Sequence, residues 1–368
     1  MKPKQLKRLF PALALPMILS SGALKADVPN VVTDIAPVHS LVSMVMKGIG
    51  EPQLLIPQNA SPHYYAMRPS EARALQEANL VVYLGHDMTP WLEPLFETVA
   101  ASAEPLDLSE VDGVLQLSYR EGPVFGEQEG HDDHDDHEGH DHEEEGHDDH
   151  DDHEGHDHEE EGHDDHDDHE GHDHEEEGHD DHDDHEGHDD HAHHDHDGND
   201  PHMWLDPANA LVWLDAIASE LGHIDPENAA RYRANANTAK EEISHEIHHL
   251  EDHLKSVQGK GFLVFHDAYQ YFENRFGISA TGSISIGDAS KPSPKGLQEL
   301  KHHFEEEGIH CVLSEPQYSS KLIDSVFGGF KPHIGVADPI GVDLELGSGL
   351  YLELLENLAS RIAECVNH

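Results

Sequence analysis

Residues 131–197 are crowded with groups that bind metal: 23 His and 36 Asp or Glu, with no Lys or Arg. A 16-residue unit, HDDHDDHEGHDHEEEG, starts at His131, His147 and His163 without a change, and a fourth copy from His179 ends in DHAHHDHDG. Imidazole is the commonest protein ligand for divalent transition metals, and carboxylates come next. His131, His134, His137, His140 and His142 of the first unit, with His191, His193, His194 and His196 of the last, are accessory ligands in this reading. The tract has no aliphatic or aromatic residue except Ala192. It cannot bury a core that offsets the entropy of ordering, so it is expected to be a disordered, weak, multi-site metal collector. A bare solvating linker explains it less well, because acids alone solvate equally well. Imidazole binds metal only when neutral, so the tract is expected to release metal as pH falls through about 6.5.

A second set of histidines lies outside the tract. His63 stands in the turn SPHYYAMRPS after the strand-like QLLIP, and His202 in NDPHMWLDP before a helical pattern. His266 ends the apolar run GFLVF, and Asp338 follows HIGVA in the matching place. Polar residues at the carboxyl ends of parallel strands collect in the crevice where α/β folds bind ligands. His63 and His202 fall in one half of the chain, His266 and Asp338 in the other, so an ion held by all four would lie between two lobes. Three neutral imidazoles and one oxygen make a tetrahedral, borderline-soft site that suits zinc. The fourth place goes to Asp338 or to water. A lone His after a strand is more often a cap or a hydrogen-bonded core residue, so the joint placement carries the argument.

Positioning these groups requires two α/β lobes. Strand-like VVTDIAP, QLLIP and LVVYLG alternate with helical RPSEARALQEA and TPWLEPLFETVA. Asp206 and Pro207 open the next helix as N-cap and first residue. An apolar stripe of Tyr232, Ala236, Ala239, Ile243, Ile247, Leu250, Leu254 and Val257 predicts one long rigid helix over 226–257. After it, GFLVFHD, ATGSISI, CVLSEP and HIGVADPIG alternate with helices, one starting at Ser319 and the last ending in ASRIAECV. Strands separated by helices imply mainly parallel sheets. The predicted organisation is a signal peptide over 1–26, a first lobe over 27–225 that contains the tract loop (127–199), a linker helix over 226–257, and a second lobe over 258–368.

The N-terminus has basic Lys2, Lys4, Lys7 and Arg8, an apolar stretch to Leu19, and small residues before Ala23 and Ala26. It reads as a secretory signal cleaved at one of those alanines, with no cysteine nearby to carry a lipid anchor. The two cysteines, Cys311 and Cys365, are most simply one disulfide in an exported protein, with a two-thiol metal site as the alternative. A net charge of −56 argues against nucleic acid and anionic lipid as partners and favours cations. His245, His249 and His253 recur at four-residue spacing beside Glu242 and Glu246. Such spacing can chelate zinc, although a solvated helix face is the plainer reading. His302 and His303 read as surface residues, while His39 and His86 lie near strand ends.

SPHYYAMRPSEARALQEANLVVYLG, PHMWLDP, GFLVFHDAYQYFENRFG and VADPIG, in that order, resemble the ABC-transporter solute-binding proteins for zinc and manganese. The acidic His-rich insertion is similar to that of the zinc-uptake, ZnuA-like members. The resemblance covers most of the chain past the signal. It implies a periplasmic, non-enzymatic protein that binds Zn²⁺ as cargo between its lobes. It implies delivery to an inner-membrane permease with its ATPase, with His63, His202 and His266 as ligands and a Cys311–Cys365 disulfide. Some zinc-type members have a carboxylate beside the first His, where this chain has Pro62. The fourth ligand is then Asp338, as in manganese-type relatives, or water. Three His and at most one carboxylate favour zinc over manganese. The chain is expected to act as a monomer, with other periplasmic zinc proteins as further partners. A periplasmic zinc buffer and a manganese-type binding protein are the alternatives. A zinc hydrolase is more remote, because no HEXXH motif or nucleophile elbow is present.

Overall fold

The computed structural model describes residues 28–126, 198–285, 293–317, 323, 326, 327 and 331–368. The expected signal peptide, the 131–197 tract with its accessory histidines, and most of the helix expected from Ser319 lie outside the described residues.

Two four-stranded parallel sheets form the framework. The first consists of β1 (Val31–Thr33), β2 (Gln53–Leu54), β3 (Leu80–Tyr83) and β4 (Glu104–Asp107), in the order β2-β1-β3-β4. The second consists of β5 (Phe262–His266), β6 (Ala280–Ser285), β7 (Cys311–Ser314) and β8 (His333–Val336), in the order β6-β5-β7-β8. All neighbours are parallel. In both sheets the chain starts at an inner strand and builds outward in both directions. The crevice at the carboxyl ends of the two inner strands is therefore where side chains can converge.

Helices cover these sheets: α1 (Ala36–Val45), α2 (Pro69–Gln76), α3 (Pro207–Ile224), α4 (Ala229–Leu254), α5 (Gln270–Phe276), α6 (Pro294–Glu306) and α7 (Leu350–Val366). As expected, Asp206 caps α3, accepting from the Ala208 amide at 2.9 Å, and Pro207 sits at the first turn. The linker helix is a little shorter than its stripe suggested, 26 residues or about 39 Å. It buries Tyr232, Ala236, Ala239 and Ile243 towards one end and Leu250 and Leu254 towards the other. Strand alternation splits the second lobe's apolar residues. Phe262 and Val264 join the main core beside α4 and α7, while Leu263 and Phe265 join a smaller core with Leu300, Phe304 and Phe327. Cys311 and Cys365 form a disulfide that ties α7 to β7. Among the described residues no helix is long and apolar enough to cross a membrane.

Two elements differ from the sequence reading. TPWLEPLFETVA forms only a 3-10 turn, Glu93–Leu95, because Pro90 and Pro94 each remove an amide donor from a would-be helix. Residues 104–107, EPLD, form an edge strand that their composition disfavours, held by pairing with β3.

Asp34, at the end of β1, ties the first sheet together: its carboxylate accepts from the Ile35 amide at 2.7 Å and the Leu84 amide at 2.9 Å. Burial pushes its pKa up to about 7, against the opposing pull of those two amides and with a further push from Asp107. A raised carboxyl pKa favours folding fully below the unfolded value and loses that stabilisation as pH climbs towards the folded value. Relative to Asp34→Asn, the wild-type protein is expected to lose stability between pH 4 and about 7, by at most about 4 kcal/mol, and then level off. Denaturant titrations of both proteins across this range check the difference, and parallel curves would contradict it.

Candidate metal centre

Local sequence sets each ligand in place. His63 rides on a proline-braced turn whose Pro62 carbonyl accepts from Trp91 Nε1 at 3.0 Å. His202 precedes a 3-10 turn, Met203–Leu205, that runs into the Asp206 cap of α3. His266 is the last residue of β5, buried like the apolar residues before it. The rings meet across the lobes. Their centroids are 4.9 Å apart for His202–His266, 5.7 Å for His63–His202 and 6.4 Å for His63–His266.

Three imidazoles on one tetrahedral zinc have ring centres roughly 5 Å apart. The His202–His266 pair already stands at that spacing, and His63, on its half-buried turn, stands about 1 Å back. Among the described residues no three His, Cys, Asp or Glu side chains are drawn in closely enough to hold an ion without such an adjustment. The three rings line a cavity of about 210 Å³ with Trp204, Glu315, Gln317, Pro339 and Ile340. Its walls combine apolar Trp204, Pro339 and Ile340 with three imidazoles, the Glu315 carboxylate and the Gln317 amide, which suits a single partly dehydrated cation.

Two buried acids that the sequence reading did not single out stand beside the rings, and one of them, Glu315, lines the cavity itself. Asp200 accepts from the His202 amide at 3.0 Å and pairs with His202 Nδ1 at 2.7 Å. A carboxylate on Nδ1 fixes the proton there, leaves the Nε2 lone pair for metal and raises its basicity. Asp200 is held in turn by its own amide on Leu117 O at 2.8 Å and, with the amide turned to suit its neighbours, by Gln270 at 3.0 Å. Glu315, just past the end of β7, lies with Oε1 3.4 Å from His266 Nδ1. Their signal was present in the sequence: Asp200 is two residues from His202, and Glu315 ends an apolar strand as His266 does.

Asp338 precedes Pro339 and Ile340, which line the cavity of the three rings. Its carboxylate accepts from the backbone amides of Ile340, Gly341 and Val342 at 3.1, 2.9 and 2.5 Å, closing the loop after β8. It borders a different and larger cavity, about 490 Å³, between β8 and α7, which gathers no comparable set of ligands. The three amides fix the carboxylate's place beside Pro339 and Ile340, and the fourth position stays with Asp338 or water. His39 is buried and bonded to Pro52 O, with burial lowering its pKa, and His86 is exposed beside Glu93. Neither lines the site.

Two parallel-sheet lobes with three imidazoles converging between them are the architecture of a solute-binding protein of the metal-ion type. The comparisons agree. The family model "Zinc-uptake complex component A periplasmic" (ZnuA) matches residues 31–365. The high-affinity zinc uptake system protein ZnuA of Paracoccus denitrificans (strain Pd 1222) is 41% identical over 358 residues, covering 96% of this chain and 98% of that one. Its namesake from Brucella suis biovar 1 (strain 1330) is 38% identical, covering 99% of each. Among solved structures, a crystal structure of ZnuA superposes with a TM-score of 0.65 at 20% identity, covering 92% of this chain and all of that one. The laminin-binding protein of Streptococcus agalactiae superposes at 0.64 and 19%, again covering 92% and 100%. The chain therefore belongs to the ZnuA family of periplasmic zinc-uptake components, whose members work with a membrane permease and its ATPase and carry Zn²⁺ as cargo.

Asp200→Asn retains an acceptor of the same shape but removes its charge. It is expected to weaken zinc affinity about 10-fold, within the 10–100-fold range of such partners, with little change in melting temperature. Competition titration against a chelating dye measures this, and an unchanged affinity would remove Asp200 from the site's support.

Proposed function

We propose that this protein captures one Zn²⁺ through His63, His202 and His266 and hands it to a membrane permease, with water completing the tetrahedron. The convergence of three rings from two lobes, at 4.9–6.4 Å between centres, carries this reading. Asp200 and Glu315 act as orienting carboxylates, which leaves the ion with nitrogen-rich coordination that favours zinc over manganese. Asp338 serves the loop after β8.

The 131–197 tract acts as a low-affinity collector that raises the local supply of zinc. The chain is exported by its N-terminal signal, cleaved at Ala23 or Ala26, and works in the periplasm. It acts as a monomer. Its role is carriage rather than catalysis.

Release by small movements fits the bonds that cross between the lobes. Arg275 clamps Asp206 at 2.6 and 2.7 Å, Trp204 Nε1 donates to Pro339 O at 2.7 Å, and Gln58 donates to Gly341 O at 2.6 Å. The His63 turn, where the slack lies, is the natural moving part.

Deleting 131–197 is expected to lower zinc stoichiometry while leaving one tight site. In that background, His63→Ala, His202→Ala and His266→Ala are each expected to weaken the tight site by at least about 100-fold, one ligand's share of a typical zinc-binding free energy. Isothermal calorimetry reads both. A deletion variant without tight binding, or three substitutions without effect, would sink the assignment.

A further inference from the structure

The histidines on the outer half of α4 are not absorbed by the transport site. We propose that Glu246, His249 and His253 form a second, lower-affinity site for a borderline divalent cation such as zinc, copper(II) or nickel(II). At about 100° per residue these three positions fall within roughly 60° of the helix circumference, beside the buried stripe of Ile243, Leu250 and Leu254. Glu246 Oε1 lies 3.5 Å from His249 Nδ1, and the His249 and His253 ring centroids are 6.2 Å apart. The Glu246 side chain is only 18% exposed and His249 53%. Packing at the edge of the core therefore restrains the base of the cluster and leaves its outer side open to an ion. His253 also borders an open cleft of about 420 Å³ beside α7, with room for a hydrated cation.

Two imidazoles and one carboxylate from one helix face suit a soft-to-borderline ion, with water in the remaining positions. Magnesium and calcium require more oxygens than the cluster offers. One adjustment is needed: His249 must rotate from its carboxylate neighbour so that both rings present a nitrogen to a common point. Its exposure permits this at the cost of one rotamer change. Glu241, Glu242, Glu251 and Asp252 add negative charge to the same stretch, outweighing Lys240 and Lys255 and favouring cation approach.

His248 is an internal control. It lies on the same helix with an 80% exposed side chain and faces Glu251, but Ser244 and Asp252 occupy the positions four residues away. The test labels the full-length protein with diethylpyrocarbonate and reads each histidine by peptide mass spectrometry, with zinc alone added in excess over the interlobe site. Labelling of His249 and His253 is expected to slow at least fivefold, that of His248 to stay nearly constant, and magnesium to protect none of them. His253→Ala is expected to restore full labelling at His249 in zinc. Equal slowing of all three histidines, slowing of none, or protection of His249 that survives His253→Ala would each overturn the site.

Discussion

The arrangement of the three rings depends on a half-buried ion pair at the seam between the lobes. Asp206, fully buried, caps α3 and accepts both arms of Arg275 from α5. His202 lies four residues before Asp206, and His266 nine residues before Arg275. The same clamp therefore fixes the ligand contributed by each lobe. Such a pair contributes modest net stability, but an arrangement that left the buried Asp206 carboxylate without Arg275 would be penalised. Tyr351 OH on Trp204 O at 2.7 Å and Trp204 Nε1 on Pro339 O at 2.7 Å extend the seam into α7 and the loop after β8. A fixed seam holds two imidazoles at near-bonding spacing before the ion arrives, so little ordering entropy remains to oppose binding.

A second crossing was invisible in the sequence. Residues 117–126, read as part of the first lobe just before the tract loop, reach the second. Phe125 donates to Thr281 O at 2.8 Å, and Ser283 donates to Pro123 O at 3.0 Å, along the edge of β6. Arg120 lies under them, stacked on Phe125 at 3.8 Å and bonded to both Asp267 and Glu273. Burial raises the Glu273 carboxyl pKa and Arg120 draws it back. The segment that leads towards the tract is thus anchored beside His266, and the segment that returns runs through Asp200 to His202.

Much of the architecture was legible because its signals are local. The apolar stripe of α4, the Asp206–Pro207 start of α3 and the polar ends of GFLVF and CVLSE can be read from neighbours a few residues apart. His63, His202 and His266 share such signals, and the structure brings them together. Asp338 carried the same signal, and an aspartate before Pro-Ile-Gly also caps its own loop, where three amides bond it. Glu315, with the same signal, lines the cavity beside His266. The β4 strand and the 117–126 crossing depend on pairing across 24 and more than 150 residues, which no local pattern encodes.

In the proposed arrangement zinc is held by the three imidazoles. Zinc K-edge X-ray absorption on the protein lacking 131–197, loaded with one equivalent of zinc, tests this directly. The account predicts three imidazole nitrogens at about 2.0–2.1 Å and one oxygen at a similar distance. Fewer than three imidazoles, or two or more oxygen ligands, would contradict it.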